Sequence, residues 1–272
     1  MKELLCPVCK EELERSGKTY VCKNKHLFDI AKEGYANLLL SDAKNSKNPG
    51  DNTLMVNARK DFLNKDYYKQ LALAISGIID EKFNFSATLL DAGVGVGYYI
   101  KTIETARAER NITDNVFGVD ISKCAVKCAA KSNPKATIAV ASVYNLPFAS
   151  DSFDVVLCVF SPFAVAEYLR VLKKGGYLIV VTPSENHLIE MRKLLYAENT
   201  RTVETSLPTE GLDILKKVEL SFPLALASTQ DIAQLIEMTP YIYRAPKTAV
   251  DNLLSLDKLD ATADFNLTVI TK

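Results

Sequence analysis

A glycine-rich turn restricts the possible folds of this chain more than any other feature of the sequence. Residues 89–97 have the sequence LLDAGVGVG, so an apolar segment leads into three glycines at alternate positions. Glycine allows positive φ angles and the close approach of a ligand to the backbone. The segment therefore predicts a β-strand, a tight turn that faces a ligand, and the start of a helix.

The spacing of these glycines excludes two common nucleotide-binding turns. A dinucleotide-binding turn needs a small residue where Tyr98 stands, and a phosphate-binding loop needs a lysine that this turn lacks. A second predicted strand ends at Asp120, whose carboxylate can accept hydrogen bonds from both hydroxyls of a ribose. A glycine turn alone is often only a turn, but a turn followed by a strand-ending acid in one βαβ unit predicts a nucleoside cofactor.

From residue 70 onward, helical and strand patterns alternate, which predicts a parallel α/β sheet with right-handed crossovers. Strands are predicted over residues 88–91, 116–120, 137–141, 153–160, 177–181, 217–222 and 266–270, the last at an edge of the sheet. Helices are predicted to begin near Thr53, with Leu54 on the buried face, and over residues 70–81, 98–107, 122–131, 165–171, 187–197 and 229–237.

Four potential metal ligands lie close together near the N-terminus. Cys6, Cys9, Cys22 and His26 have the spacing C-x2-C-x12-C-x3-H. The first pair presents two thiolates to one tetrahedral ion, and the second pair closes the site. Four protein ligands leave no position for water, so we expect a structural zinc ion that stabilises a segment too small for its own core. We interpret the other three cysteines as core residues.

These features divide the chain into a zinc-binding module (1–40), a linker loop and helix (41–69) and a catalytic domain (70–272). The 33 basic and 33 acidic residues give a formal net charge of zero, which argues against a generic nucleic-acid coat. Basic side chains are nevertheless concentrated in the module and linker, at Lys23, Lys25, Lys32, Lys44, Lys47, Arg59 and Lys60. No apolar run is long enough to span a bilayer, and we expect a cytoplasmic protein.

Three further segments complete a pattern with the glycine turn and Asp120. They are LPF at 146–148, DSFDVV at 151–156 and LKKGGY at 172–177. Over residues 85–182 the chain resembles class I S-adenosylmethionine (SAM)-dependent methyltransferases, which implies a Rossmann-like, mostly parallel seven-stranded sheet. The resemblance implies that Asp91, Gly93, Gly95 and Gly97 face the methionine part of SAM, that Asp120 holds the ribose, and that Ser142 and Asn145 border the adenine.

Segments outside that core carry a closer resemblance. Residues 26–39 (HLFDIAKEGYANLL), 49–51 (PGD), 58–63 (ARKDFL) and 238–241 (MTPY) are similar to the 23S rRNA (guanine-N1)-methyltransferase family. This resemblance implies methyl transfer from SAM to N1 of a guanine in a domain II hairpin of 23S rRNA. It also implies a homodimer whose faces form an RNA cleft, and some members of the family confer resistance to macrolide antibiotics.

The same resemblance implies functions for individual residues. It assigns the zinc ligands to Cys6, Cys9, Cys22 and His26, and SAM contacts to Tyr68, Gly97, Tyr98 and His187. The chain departs from the family at Val94, often a cysteine, at Val96, usually acidic, and at Asn48, often an aspartate. From the residues alone, Tyr68 can equally be a packing residue, and His187 a surface histidine.

The chemistry of guanine sets requirements for a catalytic site. N1 carries a proton at neutral pH and lies on the Watson–Crick edge, so the base must be unpaired and that proton must leave. Phe160 and Phe163, in the loop after the fourth predicted strand, are candidates to stack on the base. Glu167 is the nearest downstream carboxylate and a candidate base. The alternative is that Phe163 is a core residue and Glu167 a solvated one.

Two other functions are consistent with parts of the sequence. A small-molecule SAM-dependent methyltransferase shares the LPF and KGG segments, but such enzymes usually lack a zinc module. A non-catalytic SAM-sensing or RNA-binding protein is the other alternative, and the intact glycine turn with Asp120 argues against lost catalysis.

Overall fold

The computed structural model describes residues 4–40, 50–196, 208 and 210–272. Near the N-terminus a small antiparallel sheet has the order β1-β2-β3-β4, formed by β1 Leu4–Leu5, β2 Glu12–Ser16, β3 Thr19–Cys22 and β4 Leu27–Asp29. The Cys-rich module is thus built from short antiparallel strands. Lys44, Lys47, Asn48 and most of the predicted linker loop lie outside the described residues.

A second, larger sheet forms the centre of the molecule. Its strands are β5 Ala36–Asn37, β6 Thr88–Ala92, β7 Asn115–Asp120, β8 Thr137–Val140, β9 Phe153–Val159, β10 Leu172–Pro183, β11 Asp213–Leu226 and β12 Leu259–Thr271. Their spatial order is β11-β12-β10-β9-β6-β7-β8-β5. All pairs from β5 to β10 are parallel, whereas β12 is antiparallel to both of its neighbours. This confirms the predicted Rossmann-like sheet, and β5 adds an eighth strand to it.

The helices that flank this sheet follow the predicted alternation. They are α1 Thr53–Leu63, α2 Lys69–Asp80, α3 Tyr98–Ala108, α4 Lys123–Ser132, α5 Val165–Val171, α6 Ile189–Leu195, α7 Thr229–Glu237 and α8 Lys247–Leu253. Side-chain caps fix several starts: Asn52 accepts a hydrogen bond from Met55 N–H, and Ser122 accepts one from Ala125 N–H. Helix α8 and a 3-10 helix at Pro240–Tyr243 were not predicted.

Three sequence-based expectations about these elements were wrong in detail. The last strand is not at an edge, because the long β11 pairs outside β12. Leu54 is 75% exposed, and Val56 is buried in its place on α1. Helix α6 is shorter than the predicted span 187–197, of which residue 197 lies outside the described residues.

The two faces of the large sheet carry separate hydrophobic cores. One core includes Phe62, Ile75 and Phe265 and lies beneath α1 to α4 and α6 to α8. The other combines Leu4 and Tyr20 of the N-terminal module with sheet and α5 residues. The module is thus packed on one face of the sheet, and backbone hydrogen bonds reinforce the contact, from Leu5 N–H to Pro147 O at 2.8 Å and from Leu38 N–H to Val140 O at 2.9 Å.

Candidate functional site

The carboxyl ends of β6, β7 and β9 meet at one edge of the sheet, where ligands bind in folds of this kind. The three glycines after β6 all have positive φ angles: 97° at Gly93, 51° at Gly95 and 80° at Gly97. A Cβ at Gly93 would collide with Ser161, and one at Gly97 would lie 3.0 Å from Cα of Ala129. The glycines are therefore required both by the backbone conformation and by close packing.

Asp120 reaches back from the end of β7 to the glycine turn. Its carboxylate accepts one hydrogen bond from Gly95 N–H at 2.9 Å and one from Ser122 N–H at 2.8 Å. Burial raises the pKa of this carboxyl, and the backbone N–H groups act against that rise. Each oxygen retains further acceptor capacity, which is the arrangement that a ribose diol requires.

Asp91, near the end of β6, is the residue that most clearly indicates a binding site for a cation at this edge. Its side chain is 1% exposed, and neither carboxylate oxygen has a hydrogen-bond partner among the described residues. Burial and then the charge of Asp120 raise its pKa to about 7. A buried carboxylate without a partner is costly, and a bound cation relieves that cost. The ammonium group of the methionine part of SAM fits this requirement.

Asp51 of the linker and Arg59 of α1 cover this edge of the sheet. Ser122 Oγ donates a hydrogen bond to the carbonyl oxygen of Asp51 at 2.8 Å. The chain at Asp51, just before α1, therefore lies against the end of β7. Arg59 forms an ion pair with Asp51 and donates to Met238 O at 3.0 Å. Arg59 also interacts electrostatically with Asp120. Arg59, grouped in the sequence with the basic residues of the module and linker, is thus held at the cofactor edge, and a contact between Arg59 and RNA phosphate stays a prediction.

Aromatic side chains line the neighbouring part of the edge. Tyr68 is buried, with its ring centroid 5.2 Å from that of Phe265 and 6.3 Å from that of His187. Phe160 lies 5.3 Å from Phe265 and 6.4 Å from Tyr99 between ring centroids. The resemblance indicated Tyr68 and His187, and the position of the loop after the fourth predicted strand indicated Phe160. Sequence reasoning missed Tyr99 and Phe265.

Phe160 itself has a strained backbone. It directly follows β9 and has a φ angle of 52°, and its side chain remains 45% exposed beside the buried rings. Non-glycine residues with positive φ cost free energy and concentrate at functional sites. The loop after Phe160 is fixed by a hydrogen bond that Tyr168 OH donates to Pro162 O at 2.5 Å. The strain and the exposed ring favour a role for Phe160 in contacting a substrate.

The other two catalytic candidates lie elsewhere. Phe163 packs against the core on the side of the N-terminal module. Glu167 accepts hydrogen bonds from Leu146 N–H at 2.8 Å and from Arg170 Nε at 2.8 Å. Burial raises the pKa of Glu167, but the hydrogen bonds from Arg170 and Leu146 outweigh it and leave the pKa below its usual range. These contacts favour the core interpretation of Phe163, whereas Glu167 is neither a solvated residue nor an unpaired base, because Arg170 and Leu146 N–H hold its carboxylate.

The residues predicted near the adenine and at the helix start have partners of their own. Asn145 is exposed and accepts a hydrogen bond from Lys10 Nζ at 2.7 Å, which ties the β8–β9 connection to the N-terminal module. Ser142 Oγ accepts one from Tyr144 N–H at 3.2 Å. Tyr98 OH donates to Asp66 at 3.2 Å. Their contacts with SAM stay predictions.

Ser161 is a site residue that the sequence did not single out. Its Oγ is buried without a hydrogen-bond partner among the described residues, and it lies against Gly93. Its only sequence signal is its position directly after Phe160 at the end of a buried strand.

The four predicted metal ligands come together in the N-terminal module. Their ligand atoms all lie within 4.8 Å of one another. Sγ of Cys9 is 3.7 Å from Sγ of Cys22, and Nδ1 of His26 is 3.5 Å from Sγ of Cys6 and 3.4 Å from Sγ of Cys22. Tetrahedral zinc with Zn–S of about 2.3 Å and Zn–N of about 2.0 Å separates its ligands by about 3.5–3.8 Å. The four residues therefore fit a zinc ion bound through Nδ1 of His26.

Comparisons with known proteins match both parts of the molecule. Residues 4–47 match the family model described as "RlmA, N-terminal", a zinc ribbon, and residues 90–180 match the model described as "Methyltransferase domain". The chain is 31% identical to the putative 23S rRNA (guanine-N(1)-)-methyltransferase YxjB of Bacillus subtilis, over 97% of this chain and 95% of that protein.

Two further relatives match about 70% of this chain. A 23S rRNA (guanine(748)-N(1))-methyltransferase of Streptomyces fradiae is 35% identical, over 70% of this chain and 67% of its own length. A putative 23S rRNA (guanine-N(1)-)-methyltransferase of Micromonospora griseorubida is 31% identical, over 70% of this chain and 69% of its own length.

Proposed function

The chain belongs to the 23S rRNA (guanine-N1)-methyltransferase family, and from this premise we propose that it transfers the methyl group of SAM to N1 of a guanine in a domain II hairpin of 23S rRNA. The observation that carries the proposal is the presence in one chain of the RlmA zinc ribbon and of the unpartnered Asp91 beside the glycine turn. The zinc ribbon is the feature that a small-molecule methyltransferase has no need for.

Different residues at the cofactor edge contact different parts of SAM. SAM supplies a methyl group on a positively charged sulfur, which makes the methyl carbon electrophilic. Asp91 holds the methionine ammonium, the backbone of Gly93 to Gly97 lets the cofactor approach, and Asp120 accepts hydrogen bonds from the ribose. Tyr68, Tyr98, His187, Ser142 and Asn145 complete the set of cofactor residues that the family resemblance implies.

Phe160 is the residue that we assign to the substrate. Its exposed ring stands at the end of β9 beside the cofactor edge, where it can stack on a guanine taken out of its helix. Stacking fixes the base in the plane that N1 needs to attack the methyl carbon in line with the C–S bond. Phe163 and Glu167 support the fold beneath this loop.

The zinc module is assigned to RNA selection and the large sheet to methyl transfer. Exposed basic side chains of the module include Lys25 and Lys32, and such charges give RNA affinity that falls with salt. The proposal includes a homodimer in the cytoplasm. Among the described residues no helix is both long and apolar enough to cross a membrane.

The experiment that tests the function uses purified protein, methyl-labelled SAM and transcripts of the domain II hairpins of 23S rRNA. Digestion of the product should give 1-methylguanosine from one hairpin only, and Asp120→Ala should give much less at the same subsaturating SAM concentration. Labelled product in a different nucleoside, or equal labelling of unrelated hairpins, would contradict the proposal.

A further inference from the structure

The connection between β8 and β9 is held by the two residues that flank the first pair of zinc ligands. Leu5 precedes this pair, and its backbone N–H donates a hydrogen bond to Pro147 O at 2.8 Å. Lys10 follows the pair, and its Nζ donates to Oδ1 of Asn145 at 2.7 Å. Residues 5–10, which we call the zinc turn, therefore contact the β8–β9 connection from both ends of the turn.

The backbone of the zinc turn fixes the position of Lys10. This residue has a φ angle of 61°, which side chains other than glycine rarely adopt, and its N–H donates to Cys6 O at 2.8 Å. The N–H of Cys6 in turn donates to Glu11 O at 2.7 Å. A zinc ion bound to the thiolates of Cys6 and Cys9 closes the same turn through its side chains. Loss of the metal should therefore release Lys10 together with the turn.

The β8–β9 connection lies between the N-terminal module and α5. On the side of α5, Glu167 accepts a hydrogen bond from Leu146 N–H at 2.8 Å, and Arg170 donates to Phe148 O at 2.8 Å and to Leu146 O at 3.2 Å. The side chain of Val143 is buried in the same core as the apolar side chains of the module. The connection is thus held from both sides, and its position depends on the module as well as on α5.

The same connection is the part of the chain assigned to the adenine of SAM. Strand β8 ends at Val140, and the next residue, Ala141, donates its N–H to the backbone oxygen of Asp120 at 3.0 Å. Ser142 and Asn145, which the family resemblance places at the adenine, follow within four residues. One short segment therefore joins the ribose-holding residue, the adenine residues and the contacts with the zinc turn.

We propose that the zinc turn positions the cofactor: through Leu5 and Lys10 it holds the adenine-binding connection, so that zinc and SAM each strengthen the binding of the other. Lys10 is a positioning residue that acts through Asn145. The inference rests on the position of the adenine in the proposed function, and it gives the module a second role beside RNA selection. Coupling between two binding sites is reciprocal, so zinc raises the SAM affinity by the same factor as SAM raises the zinc affinity.

The first test is an equilibrium competition for zinc between the full-length protein and a chelator of known affinity, with and without saturating SAM. SAM should raise the apparent zinc affinity of the protein about 5- to 150-fold, the usual range of coupling between two sites. Methionine at the same concentration is the control, because it carries the amino-acid group that could bind free zinc but lacks the adenosine. It should leave the apparent zinc affinity of the protein unchanged.

The second test measures the SAM affinity of zinc-loaded variants by calorimetry. Lys10→Met keeps the apolar stem and should weaken SAM binding about 2- to 5-fold, since an exposed charged contact contributes little more. Lys10→Arg keeps a donor and should recover most of the affinity. In an Asn145→Ala background, Lys10→Met should have no further effect, because the partner is gone. Lys18→Met is the matched control, an exposed lysine between β2 and β3 whose loss removes the same charge, and it should match the wild type.

An apparent zinc affinity that is the same with and without SAM would overturn the inference. Wild-type SAM affinity in Lys10→Met, or an equal loss in Lys18→Met, would remove Lys10 as a positioning residue. Hydrogen exchange of residues 141–148 tests the premise, because exchange that SAM does not slow there would refute the position of the adenine. A wild type that shows the coupling but forms no 1-methylguanosine refutes the proposed methyl transfer alone, so the two failures are distinguishable.

Discussion

The zinc site and the cofactor edge bring polar groups together by different physical means. In the zinc site, four ligands from one short segment lie within 4.8 Å of one another, and the metal supplies the stabilising energy. At the cofactor edge, Asp91, Asp120 and Arg59 come from distant parts of the chain and are held by a sheet with a core on each face. Loss of the metal should therefore unfold the zinc site. Substitutions at the cofactor edge should instead lower the affinity for SAM and leave the fold intact.

The largest expected effect is that of Cys22→Ser. Loss of one thiolate from a closed four-ligand site removes most of the apparent binding energy, which is about 10–16 kcal/mol for structural zinc in small modules. We expect the zinc content to fall from one per chain to near zero and the module to unfold. Elemental analysis and proteolysis of residues 4–40 measure both effects. A metal-free variant with an unchanged melting curve and RNA affinity would show that zinc does not stabilise the module.

Asp120→Ala should have the next largest effect, and it should act at the cofactor edge, where the ribose and the N–H groups of Gly95 and Ser122 lose their acceptor. Hydrogen bonds to a charged group contribute about 1.5–3 kcal/mol, which corresponds to about a 10- to 100-fold loss of SAM affinity. Asp120→Asn, which keeps one acceptor, should lose less. Calorimetry gives both constants, and zinc content should remain at one per chain. Wild-type SAM affinity in Asp120→Ala would show that the ribose is held elsewhere.

Asp91→Asn should have opposite effects on stability and on cofactor binding. Because the folded pKa of Asp91 is raised to about 7, its contribution to stability is present below the pKa of the unfolded chain, about 3.9, and is lost as the pH rises through 7. Without SAM, the variant should therefore melt about 2–4 °C higher at pH 8 for each kcal/mol recovered. SAM should bind the variant more weakly. A variant with lower stability at pH 8 would contradict the assignment of an unpartnered carboxylate.

The smallest effect is expected for basic residues of the module. Lys25→Gln together with Lys32→Gln should raise the KM for RNA a few-fold and reduce the salt slope by about one unit for each phosphate that the variant no longer neutralises. Arg59→Gln is the contrasting variant, since Arg59 is paired with Asp51 at the cofactor edge. It should weaken SAM binding and leave the salt slope unchanged. The reverse pattern, a flatter salt slope with unchanged SAM binding, would show that Arg59 contacts RNA.

Features that depend on local spacing could be predicted from the sequence, whereas features that depend on distant segments could not. The zinc ligands follow from local spacing, and so do the glycine turn and the strand-ending Asp120. The covering position of Arg59, the buried hydroxyl of Ser161 and the interior place of β12 depend on packing between distant segments. Packing between distant segments leaves no periodic pattern in the sequence. The pairing of β5 with β8, which joins the module to the large sheet, was missed for the same reason.

The most direct test of the central claim is mass mapping of 23S rRNA from cells with and without this gene. The account predicts that one domain II guanine carries an N1-methyl group only when the gene is present, and that the gene with Cys22→Ser or with Asp120→Ala restores it only in part. Macrolide susceptibility of the same strains checks the resistance that some family members confer. An identical methylation map in the two strains, or full methylation with either variant, would contradict the claim that both sites serve one rRNA methyltransferase.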